Sequence, residues 1–130
     1  MGRRSVSAVI YAKDVERLAH FYETMLGLVR EEEGPAFIAL ARDAVDLVIV
    51  QIPAHIGGAI TISEPPRARE DGAVKLSFEV EDIEVARRTV GEVGGWLQPS
   101  EAAWGWRGLL HLNAVDPEGN VFQLRQADRN

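Results

Sequence analysis

The chemistry of this chain lies in polar and aromatic side chains placed at alternate positions of short apolar runs. Side chains alternate faces along a strand. In residues 5–12, Ser7, Val9 and Tyr11 therefore share one face, while Ala8, Ile10 and Ala12 share the other. In residues 74–80, Lys75, Ser77 and Glu79 are set against Leu76, Phe78 and Val80. Further on, Leu110, Leu112 and Ala114 leave His111 and Asn113 on the opposite face, and Phe122 with Leu124 leaves Gln123 and Arg125. Gathered on one surface, these groups would orient a polar organic ligand. Lys75, Glu79, His111 and Arg125 would fix its orientation, with Glu79 facing a cationic group and Tyr11 and Phe37 as apolar walls. His111 could also serve as a general base. The alternative is a solvated sheet on which pairs such as Lys75 and Glu79 neutralise each other.

The run Trp104-Gly105-Trp106-Arg107-Gly108 reads as a loop carrying two indoles. Such rings stack on flat or cationic ligands, or else fill a subunit interface or cap the core. His20 lies on a helix and His55 in a linker, and neither joins the other polar groups. No nucleophile triad order, phosphate-cradling glycine loop or zinc-protease helix motif is present.

Two copies of one unit position these residues. Asp14 and Asp82 are 68 positions apart (82 − 14), and at that offset Val6–Asp14 falls on Val74–Asp82. Val15 then meets Ile83, Met25 meets Val93, Gly27 meets Gly95 and Leu28 meets Trp96. Each copy predicts a strand, an acidic cap, a helix and three more strands. In the first, the strand spans 5–12 and the helix runs from Val15 to Leu26, with Gly27 as its stop. Strands follow over 28–33, 36–41 and 45–52. In the second, a strand spans 74–80 and a helix runs from Ile83 to about Val93, ended by Gly94-Gly95. Strands then follow over 96–98, 108–115 and 120–126. Pro53, Gly57-Gly58 and Pro65-Pro66 mark 53–72 as the linker between module one (5–52) and module two (73–127) of a single domain.

Bulk properties exclude several classes. A chain of 130 residues has room for one core. Its formal net charge of −6 argues against nucleic-acid binding, which needs a basic face. No apolar run approaches the length of a membrane span. No signal-like segment follows Met1, so a cytoplasmic location is expected. With no cysteine, disulfides and thiolate metal sites are ruled out.

The pattern Asp14-Val15, Leu18, Phe21-Tyr22, Leu26-Gly27-Leu28, followed much later by Asp116-Pro117-Glu118-Gly119-Asn120 before a last strand, resembles the vicinal oxygen chelate superfamily. That superfamily includes glyoxalase I, extradiol dioxygenases, fosfomycin-resistance enzymes and bleomycin-resistance proteins. The resemblance covers nearly the whole chain. It implies an α+β fold of two tandem βαβββ modules whose curled mixed sheets surround a cup, and it implies a homodimer. In the enzymes of the superfamily, a divalent metal is held by His, Glu or Gln from the two halves.

Carried onto this chain, those metal positions fall on Ser7, on Val48 or Ile49, on Lys75 and on Gln123. Divalent transition metals are bound by imidazole, carboxylate or thiolate, so neither a metal nor another cofactor is expected. The expected function is passive: capture of a small aromatic or cationic organic compound by Ser7, Val9, Tyr11, Phe37, Lys75, Ser77, Glu79, Trp104, Trp106, His111, Asn113, Gln123 and Arg125. The alternative is an enzyme of the same superfamily, of lyase, isomerase or dioxygenase type. It would use His111 and Glu79, with or without a recruited divalent metal.

Overall fold

Each helix that supports a sheet begins at an aspartate. In the computed structural model, which describes residues 4–128, the Asp14 carboxylate accepts from the Arg17 N–H at 3.1 Å and opens α1, Val15–Leu26. Leu18, Ala19, Phe21, Tyr22 and Met25 form its buried stripe, and Gly27 ends it at φ 67°. Asp82 accepts from the Glu84 N–H at 2.9 Å and opens the second long helix, Ile83–Val90. This helix ends at Val90, three residues short of the expected Val93, because Gly91 follows and glycine weakens a helix interior. A turn covers 91–94, and the left-handed glycine is Gly94, at φ 86°. The Gly95 N–H reaches back to the Val90 carbonyl at 2.9 Å. The repeat offset therefore slips from 68 to 67 (94 − 27) at the helix end. Val29, not Leu28, becomes the counterpart of Trp96, and both are exposed.

The first unit, Met1–Thr61, carries β1 (Ala8–Ala12), β2 (Val29–Gly34), β3 (Phe37–Arg42) and β4 (Val45–Gln51), followed by a one-turn α2 (Ala54–Gly57). The sheet order is β1-β4-β3-β2, with β1 parallel to β4 and the other pairs antiparallel. Ala12, Ile38, Leu40, Leu47 and Ile49 are buried on the face that meets α1. Arg30 on β2 is tied to α1 through Glu23 at 2.7 Å and Glu16 at 3.0 Å. The hydrogen bond it donates to Glu23 is the main reason its guanidinium pKa lies well above the usual range, with burial opposing.

The second unit, Ile62–Asn130, holds β5 (Ser77–Glu79), α3 (Ile83–Val90), β6 (Trp96–Leu97), β7 (Trp104–Trp106), β8 (Leu109–Val115) and β9 (Val121–Ala127). Its order is β5-β9-β8-β6, with β7 also on β8. Phe78, Leu97, Leu112, Ala114, Phe122 and Leu124 face α3, and Phe78 meets Phe122 edge-on at 6.0 Å. The architecture is thus the expected α+β pair of mixed sheets, four- and five-stranded and neither closed.

Two differences in the strands have local causes. β1 and β5 are shorter than the expected 5–12 and 74–80, because their ladders start only at Ala8 and Ser77. Ala8 pairs with Leu47 near the start of β4, and Ser77 pairs with Gln123 near the start of β9. The Trp104–Trp106 segment, expected as a loop, is a strand antiparallel to β8, with Trp104 opposite His111. Arg107 and Gly108, at φ 54° and 75°, make the tight turn that joins the two. Two consecutive positive-φ residues match the right-handed twist of a hairpin. Among the described residues, no helix is long and apolar enough to cross a membrane.

Candidate functional site

Strand register assembles the second-module candidates into rows. Residues paired across strands project to the same face. Glu79 on β5, Arg125 on β9, His111 on β8 and Trp104 on β7 form one continuous row across four strands. The next row holds Ser77, Gln123 and Asn113, and on the far side of the first lies Trp106 opposite Leu109. All of them occupy the face away from α3. Within this frame the Arg125 guanidinium donates to the Ser77 carbonyl at 2.6 Å and to its hydroxyl at 3.0 Å. The Lys75 ammonium donates to the Asn113 amide oxygen at 3.2 Å instead of pairing with Glu79.

The centre of this face is His111, only 3% exposed. Trp104 stacks on its ring at 5.5 Å and 13°, and Trp106 leans on it at 5.9 Å and 50°. Its Nε2 lies 3.2 Å from the Trp106 carbonyl. A carbonyl only accepts, so Nε2 is the donor of this contact. The Nδ1 atom is buried without a partner. His111 lies on the expected face, but covered by the indoles instead of open to solvent. The indoles remain accessible, Trp106 more so at 58%, with the Arg107 guanidinium 4.3 Å from its ring centre.

The first-module candidates gather on their own sheet. Tyr11 and Phe37 flank Val50, and Val9 lies beside Val48, all on the face away from α1. Tyr11 and Val9 are more than half exposed. The Ser7 hydroxyl donates to the Asp46 carboxylate.

The donor set does not fit a divalent metal. Ser7 is engaged by Asp46, Ile49 is buried in the core and Val48 has no donor atom. Lys75 is a cation held on Asn113, and Gln123 lies between Ser77 and Asn113 as a neutral amide. Among the described residues, no three His, Asp or Glu side chains come together as a metal cluster. A weak oxygen donor beside an ammonium group does not hold a transition metal.

Several residues outside the sequence-based set shape these surfaces. Asp46 fixes Ser7, and strand alternation alone would have put it on that face. Gln98 accepts from the Asn113 N–H at 2.9 Å. Asp116, fully buried, accepts from the N–H groups of Glu118 at 2.9 Å and Asn120 at 3.0 Å, and from the Asn120 amide at 2.8 Å. It thereby shapes the turn that carries Gly119. The end of the linker rests on that turn. The Arg69 N–H donates to the Gly119 carbonyl at 2.8 Å, and its Nε donates to the Glu118 carbonyl at 3.1 Å.

The comparisons agree with this fold. The model of the glyoxalase-like domain family matches residues 7–125. The chain is similar to a solved glyoxalase/bleomycin resistance protein/dioxygenase family enzyme from Burkholderia phytofirmans. The identity is 20% over 96% of this chain and 100% of that one, with a TM-score of 0.66. It is also similar to the fosfomycin resistance protein FosX from Mesorhizobium loti, at 13% identity over 99% and 96% of the chains and a TM-score of 0.67. A hypothetical protein from S. aureus is 17% identical over 98% and 96%, with a TM-score of 0.66. The search of curated proteins gave no match. With the family model spanning nearly its whole length, the chain belongs to the glyoxalase-like domain family of the vicinal oxygen chelate superfamily.

Proposed function

We propose that this protein binds a small aromatic or cationic organic compound without a metal and releases it unchanged. The observation that carries this reading is the row Glu79–Arg125–His111–Trp104, in which a carboxylate, a guanidinium and stacked rings lie side by side on one sheet. Trp104 and Trp106 supply the stacking surface, and Glu79 supplies the countercharge for a cation. Ser77, Asn113 and Gln123 offer hydroxyl and amide groups in the adjoining row. Lys75 and Arg125 are held in place by Asn113 and Ser77. On the first sheet, Ser7, Val9, Tyr11 and Phe37 form a mostly apolar patch suited to ring contact.

The metal positions support a passive role, because the side chains there lack the donors that superfamily catalysis needs. The enzyme alternative rests on His111 and Glu79. The unpartnered His111 Nδ1 is the one feature that favours it, yet that atom is buried beneath the rings that cover the imidazole. A homodimer is part of the proposal, since β1 and β2 are the edge strands of the first sheet and sheet edges invite pairing. The test is a thermal-shift screen of flat cationic compounds, with each hit recovered and weighed by mass spectrometry. Stabilisation with unchanged ligand supports binding, because a ligand selective for the native state raises the melting point. Conversion of a hit to product would replace this reading with the enzyme one.

A further inference from the structure

A cavity lies within the same unit, at the end of the sheet beyond the Ser77–Gln123–Asn113 row. It has a volume of about 680 Å³, which suits a small organic molecule. One wall is the linker segment 68–72, and the opposite wall is the sheet end, where Trp96, Val115 and Val121 stand in register. The segment is anchored. Arg69 is bonded to the carbonyls of Gly119 and Glu118, and a Cβ at Gly119 would stand 2.3 Å from the Arg67 carbonyl oxygen.

Two features of the lining point to its occupant. Trp96 is 51% exposed and offers a flat apolar surface. The Lys75 ammonium, with three donors to place, is held by the neutral amide of Asn113. Arg69, on the facing wall, spends its Nε on a backbone carbonyl. Among the described residues, neither Lys75 nor Arg69 pairs with a carboxylate. Two cations bonded to neutral oxygens and beside an aromatic plane favour an anion carried on a ring. Glu70 and Asp71 also line the cavity. Their charges oppose a dianion more strongly than a monoanion, which selects a carboxylate over a phosphate.

We infer that this cavity binds a small aromatic monocarboxylate, its ring on Trp96 and its carboxylate on Lys75. The cavity shares Lys75 and Asn113 with the edge of the proposed capture surface, but the inference does not rest on the tryptophans of that surface. Lys75, which occupies a position where a metal ligand would be expected, serves here as the anion holder. Gln98 and Asn113 keep the sheet end in register beneath the ring through their 2.9 Å bond.

The experiment is calorimetric titration of the full chain with phenylacetate, indole-3-acetate, phenylacetamide and phenyl phosphate. The two acids should bind, with the amide and the phosphate much weaker. Charge-assisted hydrogen bonds contribute about 1.5–3 kcal/mol, so Lys75→Met should weaken acid binding by about tenfold or more, while Lys75→Arg should retain much of it. Trp96→Ala should weaken it as well, whereas Trp104→Ala should leave it unchanged. Circular dichroism on each variant establishes that it is folded. Equal affinity for acid and amide would overturn the inference, as would wild-type binding by Lys75→Met or no acid binding at millimolar concentration. Loss of acid binding in Trp104→Ala alone would reassign these ligands to the tryptophan row.

Discussion

Replacing Gly119 by alanine should free the linker from the turn that holds it. Gly119 has φ 89°, and a Cβ there would lie 2.3 Å from the Arg67 carbonyl oxygen. A left-handed backbone costs an L-residue roughly 1–2 kcal/mol. Backbone cannot yield as a flexible side chain does, so the clash must be relieved by moving the segment. That movement breaks the Arg69 bonds to Gly119 and Glu118, at 2.8 Å and 3.1 Å. Each contributes about 0.5–1.5 kcal/mol, with exposed bonds at the lower end. The sum is a destabilisation of about 2–4 kcal/mol. Urea unfolding followed by circular dichroism measures it directly. Limited trypsin digestion gives the local readout, because the bonds after Arg67 and Arg69 should be cut faster in the variant. If Gly119→Ala unfolds at the wild-type midpoint and is cleaved at the wild-type rate, the linker is not held by this turn.

Asp116→Ala should be costly too. It removes a fully buried carboxylate that satisfies two backbone N–H groups and the Asn120 amide. Orphaned buried donors cost about 1–3 kcal/mol each; only the Glu118 N–H is fully buried and the two Asn120 donors are partly so, so a loss of about 2–4 kcal/mol is expected, and a wild-type urea midpoint would contradict it. Protein dialysed without chelator should carry far less than one equivalent of zinc, nickel, manganese or iron by plasma mass spectrometry. Stoichiometric metal would show that the donor set has been misjudged. Light scattering at micromolar concentration should give twice the chain mass, and the monomer mass would remove the homodimer from the account.

Where the sequence was legible, local rules and tertiary packing agreed. Asp14 and Asp82 cap helices as their acidic side chains require, and the alternation of Leu110, Leu112 and Ala114 against His111 and Asn113 survives in the register of β8. Glu79, His111 and Arg125 could be placed on one face from such alternation, whereas Trp104 joined them only through its pairing with His111. The order of the row came only from pairing. Ends were harder to read. The slip from Gly95 to Gly94 depends on where α3 stops, and three glycines in five residues (Gly91, Gly94, Gly95) offer several stops. The Trp104–Trp106 strand has three residues with a glycine at its centre, too short for alternation to register. Neither the anchoring of the linker at Gly119 nor the cavity beneath it has a local signal, because both arise from contacts made about fifty residues apart (119 − 69). Trp96 looked like the counterpart of the buried Leu28 until the offset shifted.

The central claim, capture without turnover on the tryptophan row, is tested most directly by fluorescence titration. The titrants are flat cationic aromatic compounds, and the proteins are the wild type, Trp104→Ala, Trp106→Ala and the double variant, with the ligand assayed afterwards for chemical change. An aromatic contact contributes about 0.5–1.5 kcal/mol beyond its area. The account therefore predicts saturable quenching in the wild type, affinity lower by about tenfold or more in the double variant, and ligand recovered intact. Quenching and affinity that survive loss of both indoles would contradict it, as would ligand recovered as product.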